Sequence, residues 1–177
     1  TAIFRGGFSA RAFEAVVAVA SDEPAVDVLA RLVERSLVVS DPLADPRRGD
    51  RFRLLATARE RALQMTVERG DLAALRRRHR AFFAGVAREV DALLEAGRLG
   101  DAAGLESAEH AELTTALDET VESGDAQAGL AMLPPLIRAS RMGLRPYAYA
   151  RWYEPLRNAE PDSAPGVELR AALLVTE

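Results

Sequence analysis

Cysteine is absent from the 177 residues, which excludes disulfides, thiolate nucleophiles and thiolate metal ligands. Lysine is absent as well, so all 23 basic side chains are arginine. Schiff-base chemistry and a phosphate-loop lysine are therefore impossible within this chain. Two histidines, His79 and His110, leave little material for metal binding or acid–base work. No serine–histidine–acid or paired-carboxylate arrangement stands out in the sequence, so no catalytic role is expected. No apolar run approaches the ~18–20 residues needed to span a bilayer, and Thr1 to Gly7 holds no basic segment followed by an apolar stretch. No membrane partner is expected, and the expected location is cytoplasmic. The net charge of −4 argues against wholesale coating of nucleic acid. What remains is 49 % hydrophobic and 28 % charged, a globular composition long enough for one or two domains.

The first third alternates short helices with strands. Ser9 is placed to cap a helix through Ala20, with Phe13, Val16, Val17 and Ala20 on one face. Asp22 to Pro24 break that helix. A second runs from about Ala25 to Arg35, with Val28, Leu29, Leu32 and Val33 as its apolar stripe. Ser36 to Ser40 is rich in β-branched residues, Asp41 to Asp50 is a turn-rich loop, and Arg51-Phe52-Arg53-Leu54 alternates charged with apolar. Two helices followed by a β-hairpin make most of a winged helix.

The rest reads as helix. Thr57 and Glu60 have the spacing of a capping box that opens a helix ending at Gly70. A glycine–aspartate pair recurs at Gly70-Asp71, Gly100-Asp101 and Gly124-Asp125. In each, the glycine suits the left-handed residue that closes a helix and the aspartate suits the next cap. Such junctions predict antiparallel helices joined by short links, as in a helical-repeat array. The helix after Asp71 carries Leu72, Leu75, Phe82, Phe83, Val86, Val90, Leu93 and Leu94 on one broad face. The next spans about Leu105 to Ser123, with Leu113, Leu117 and Val121 inward. A third follows Asp125, and Pro134-Pro135 predicts a kink or a restart within it. A fourth begins near Pro146, and a last covers about Val167 to Val175.

Several residue groups are candidates for function. Arg76, Arg77, Arg78 and Arg80 with His79 form the most basic stretch, and phosphate contact is its sharpest interpretation. Yet residues 76 to 78 fan over about 200° of helix, so they cannot share one groove. His79 is expected at the rim of the apolar face. In a winged helix the helix before the hairpin can read DNA; here it would present Arg31 and Arg35 together with Asp27 and Glu34. That mixture of signs weakens attraction to phosphate. Glu106 and His110, four residues apart, could begin a metal site but lack a third convergent ligand, and a surface ion pair is the expected outcome. Tyr149, Trp152 and Tyr153, with Tyr147 and Arg145, Arg151 and Arg157 nearby, are candidates for lining a partner or ligand groove, although i, i+3, i+4 spacing also builds a helical core. Arg48-Gly49-Asp50 and Arg69-Gly70-Asp71 are turn punctuation.

Five stretches together resemble a known family. Ile3-Phe4-Arg5-Gly6-Gly7-Phe8, Val28 through Val39, Phe52 through Glu60, Arg76-Arg77-Arg78-His79 and Glu109 through Leu117 are similar to large bacterial regulators of the STAND ATPase type, a group that includes LuxR-like and SARP-like transcriptional regulators. The resemblance covers most of the chain and thins after Pro134. It implies a winged helix followed by tetratricopeptide-like repeats, with the nucleotide-binding core and a DNA-binding module elsewhere in the polypeptide. It also implies a fragment that starts inside the winged helix and stops inside the repeats. The sequence departs from relatives at Leu54-Leu55-Ala56, where many carry Met-His-Asp with a histidine that touches ADP, and at Arg61, Glu112 and Pro134-Pro135. None of Leu54, Leu55 and Ala56 can donate to a phosphate through its side chain, so direct nucleotide sensing is not expected here.

The expected fold is mainly α: a partial winged helix with a short β-hairpin over residues 1–68, then an antiparallel tetratricopeptide-like array over 69–177. The expected function is non-catalytic signalling and protein interaction within a transcriptional regulator, without cofactor or metal. Its expected partners are the ATPase core of the parent polypeptide and an effector. The alternative is a DNA-binding winged-helix transcription factor. Leu169, Leu173 and Leu174 form an apolar stripe near the end of the chain, which predicts a homodimer contact through the last helix.

Overall fold

A computed structural model describes residues 2–17, 23–41, 50–145 and 148–159. It is mainly helical, with seven α-helices and a small antiparallel sheet among the described residues. The loop 42–49, Tyr147 and the expected helix at 167–175 with its dimer contact lie outside the described residues. Two compact units divide the chain, Thr1–Phe82 and Phe83–Glu177.

In the first unit the order is β1 (Phe8–Ser9), α1 (Ala10–Val16), α2 (Ala25–Glu34), β2 (Val38–Ser40), β3 (Arg51–Leu54), α3 (Ala56–Glu68) and the beginning of α4 (Leu72–Glu95). The sheet runs β1-β3-β2, antiparallel throughout. Val38 lies opposite Leu54, and both Phe8 and Ser40 lie opposite Phe52. Because side chains alternate across a strand, Phe52 and Leu54 share one face while Arg51 and Arg53 take the other. The core is aromatic: Phe4 stacks on Phe8 with centroids 4.7 Å apart, and Phe13 and Phe52 follow at 6.0 and 6.1 Å from Phe8.

Local chemistry explains the element ends. The Ser9 hydroxyl accepts from the Ala12 amide and caps α1. Ser36 closes α2 in the left-handed conformation at φ 54°, while the Leu37 amide reaches back to the Leu32 carbonyl. The expected capping box does not form. Helix α3 begins two residues earlier, after Leu55, so Thr57 lies inside the helix and makes no cap. No residue of α3 is fully buried.

The second unit holds the rest of α4, then α5 (Leu99–Ser123), α6 (Ala126–Arg141), a 3-10 turn (Ala150–Trp152) and α7 (Tyr153–Ala159). The α5–α6 link is Gly124-Asp125: Gly124 sits at φ 68°, and the Asp125 carboxylate accepts from the Ala128 amide. The expected junction at Gly100-Asp101 is corrected. Both residues lie within α5, and the turn falls at Gly97, φ 71°. Placing the turn there puts Ala102 at 0 % exposure, packed with Val90, Leu94 and Ala139. Helix α6 continues through Pro134 and Pro135, both buried, without a restart. Its fourth-turn consequence is covalent: the carbonyls of Leu130 and Ala131 have no i+4 amide to receive. Arg138 of α6 pairs with Asp91 at 3.1 Å near the end of α4, where Val90 and Leu94 of α4 pack with Ala102 of α5 and Ala139 of α6. No helix among the described residues is long and apolar enough to cross a membrane.

Candidate functional site

Helix α5 carries an unusual load of buried acid. Glu106, Glu109, Glu112 and Glu119 are each 6 % exposed or less, where ionised side chains persist only with partners. Glu109, Glu112 and Glu119 are all engaged. Glu106 is the centre of the best-defined cluster. Its Oε1 accepts from the Tyr149 hydroxyl at 2.6 Å and lies 2.9 Å from His110 Nδ1, and its Oε2 accepts from Arg145 Nε at 3.0 Å. Arg145 also donates to the Ser107 hydroxyl at 3.2 Å.

The proton arrangement follows from donors and acceptors. A carboxylate only accepts, so the Tyr149 proton is committed to Glu106. His110 Nδ1 then faces the carboxylate and, at 3.0 Å, the tyrosine oxygen. Facing two acceptors, Nδ1 carries the hydrogen, in the neutral and the protonated ring alike. Burial first, and then the hydrogen bond to Glu106, push the Tyr149 hydroxyl well above the usual phenol range. The expected surface ion pair between Glu106 and His110 is therefore corrected. Glu106 is 1 % exposed, and its partners come from 39 and 43 residues away. Among the described residues no group of three or more His, Asp or Glu side chains is placed to hold a metal ion.

A second clamp lies further along α5. Asp118 Oδ1 accepts from Trp152 Nε1 at 2.9 Å, and both its oxygens accept from Arg151 at 3.1 Å. The Arg151 guanidinium also lies 3.9 Å from the Trp152 ring centroid, a cation–π contact. Tyr149 and Trp152 are thus core residues of this unit, 1 % and 3 % exposed, and Tyr153 is half-buried.

The arginine candidates scatter. On α2, Arg31 and Arg35 are exposed, but Arg31 forms a two-pronged pair with Glu23, with Nη2 at 2.8 Å from Oε2. The glutamate holds the Arg31 guanidinium more firmly charged than usual. On α4, Arg77 is exposed and Arg76 half-buried, while Arg80 is 6 % exposed. Arg78 donates to the Val16 carbonyl at 2.8 Å. His79, expected at the rim, is instead fully buried with its ring edge on Phe4, 5.7 Å between centroids. The sequence pairs Glu106 with His110 and groups Tyr149 with Trp152; nothing local in it pairs Glu106 with Arg145 or Asp118 with Trp152.

Comparison with protein-family models, with curated proteins and with solved structures finds no match.

Proposed function

We propose that this chain is a non-catalytic protein-interaction segment, of the kind the resemblance to STAND-type bacterial regulators implies. In this proposal the first unit is a partial winged helix that docks on a nucleotide-binding core. The second unit is a tetratricopeptide-like array that receives an effector or partner. Nucleotide state then shifts the packing between core and segment, and so the availability of the partner surface.

The observation that carries the proposal is the outward surface of α2. Helices α1 and α2 fall between β1 and β2 in a sheet ordered β1-β3-β2, an order that supports the winged-helix reading, in which α2 takes the position that reads DNA when such folds do so. Here α2 shows solvent Val26 at 66 % and Val33 at 37 % exposure, with Asp27 and Glu34 exposed beside them. Its Arg31 is already neutralised by Glu23. The acidic groups repel a phosphate backbone, and the exposed apolar ones offer it no hydrogen bond and suit a protein surface. Leu37 and Leu55, 39 % and 38 % exposed and joined by a backbone hydrogen bond, add apolar area to the same unit.

The discriminating experiment is a mobility-shift series with duplex DNA across salt concentrations. The proposal expects no sequence-selective retention. Retention that is selective and falls steeply with salt, and that Arg31→Ala with Arg35→Ala removes, would establish the DNA-binding alternative.

A further inference from the structure

Arg145 and the segment 148–156 are held on α5 and α6 as a guest is held in a groove. Its anchors are Tyr149, Trp152 and Leu156, all at most 3 % exposed and spaced i, i+3, i+7. Through the 3-10 turn and into α7, that spacing brings all three side chains to the buried side of the segment. Each anchor has a dedicated counterpart. Glu106 receives Tyr149 and Arg145, and Asp118 receives Trp152 and Arg151. Those two acids stand twelve residues apart on α5, about 18 Å at the helical rise. Leu156 sits over Gly129 of α6, so closely that a Cβ there would lie 2.5 Å from Leu156 Cδ2 and 2.9 Å from Thr120 Oγ1. A mid-helix glycine sacrifices helix propensity, and here it opens the dent that the leucine fills. Without the segment, this face would be an apolar groove rimmed by two carboxylates. Its complement is an aromatic, arginine-bearing helical peptide.

We propose that the α5–α6 face is a docking groove for a helical peptide carrying Tyr, Trp and Leu at i, i+3, i+7 flanked by arginine, and that residues 148–159 occupy it in cis as an autoinhibitory strap. This rests on the interaction proposal above and names the partner chemistry of its second unit. The covalent strap competes at an effective concentration on the order of millimolar, so an outside peptide enters only when the strap is weakened.

Trp152 is the sole tryptophan, which makes the test direct. The full chain carrying Trp152→Ala and Leu156→Ala has no tryptophan and two of its three anchor sites emptied. Titrated with a synthetic peptide of residues 144–159, it is expected to bind saturably, with a blue shift of the peptide's tryptophan emission. A fluorescein-labelled copy of the peptide is expected to bind the unaltered chain at least tenfold more weakly. Adding Gly129→Ala to the emptied chain is expected to weaken binding at least tenfold. An emptied chain that keeps its far-UV circular dichroism and does not bind would overturn the proposal. Should that variant lose its helicity, Arg151→Ala, which loosens the strap's own hold on Asp118 and leaves the groove side unaltered, takes its place with the labelled peptide; binding no tighter than to the unaltered chain would overturn the proposal equally. DNA retention in the mobility-shift series would instead sink the interaction proposal and leave peptide docking untouched.

Discussion

Replacing Glu106 with glutamine keeps the shape of the side chain and removes its charge. Three donors converge on the carboxylate, from Tyr149, His110 and Arg145 at 2.6, 2.9 and 3.0 Å. An amide oxygen at the Oε1 position still accepts from Tyr149 and His110, without charge assistance. The amide nitrogen then faces Arg145 Nε, donor against donor. Hydrogen bonds to charged groups contribute about 1.5–3 kcal/mol each. Arg145 is 39 % exposed, so solvent screens its share, and the loss there is discounted towards the surface range of ~0–1 kcal/mol. Lost charge assistance on two bonds and a frustrated third sum to about 2 kcal/mol, after allowing for the lighter desolvation of a neutral amide. In urea, with a slope of roughly 1–1.5 kcal/mol per molar, the midpoint falls by about 1–2 M. The assay follows Trp152 emission and far-UV circular dichroism together. Because Tyr149 and Trp152 belong to one strap, the fluorescence transition of Glu106→Gln is expected to precede the helical one. A midpoint shift below about 0.3 M, with the two signals still coincident, would mean that desolvation cancels the three donors and that Glu106 clamps nothing.

Three further outcomes follow from single contacts. Tyr149 ionises in the folded state only well above its unfolded pKa of about 10. The stability it contributes is therefore complete below pH ~10 and declines above it by up to ~1.4 kcal/mol per pH unit; Tyr149→Phe should flatten that alkaline decline in pH-dependent urea melts. Ser36→Gly removes a non-glycine residue from the left-handed region and should stabilise the first unit by up to about 1 kcal/mol, measured by thermal melting; a loss would show that the Ser36 side chain has a supporting role. Gly129→Ala gains about 1 kcal/mol of helix propensity but overpacks against Leu156 and Thr120 at a cost of about 1–3 kcal/mol, so urea melts should show net destabilisation with a red-shifted Trp152 emission.

Features encoded within a few residues were legible in the sequence. The Ser9 cap, the alternation of β3 and the Asp125 cap all depend on neighbours no more than a turn away, and the structure places them as expected; of the expected α2 stripe only Leu29 is buried, and Val33 is exposed. What failed depends on distant packing. Gly97 and Gly100 are equally able to end a helix, and the choice is made by Ala102 fitting between Val90, Leu94 and Ala139. Thr57 can cap a helix, but the helix starts before it. On α5 the usual hydrophobic logic inverts: Val121 is 40 % exposed while Glu106 is 1 % exposed. Burial of that glutamate is stabilised by a tyrosine and an arginine some forty residues on, a pairing that no periodicity reveals. His79 likewise reads as a rim residue until Phe4, 75 positions earlier in the chain, packs on its ring.

The central claim is that this segment acts by docking on a nucleotide-binding core, and calorimetric titration tests it most directly. The titrant is the nucleotide-binding segment encoded in the same reading frame, loaded with ADP or with a non-hydrolysable ATP analogue, and the cell holds this chain. The account predicts binding in at least one nucleotide state and at least a tenfold difference in affinity between the two. A reading frame that encodes no phosphate-loop segment, or a titration with no heat of binding in either state, would contradict it.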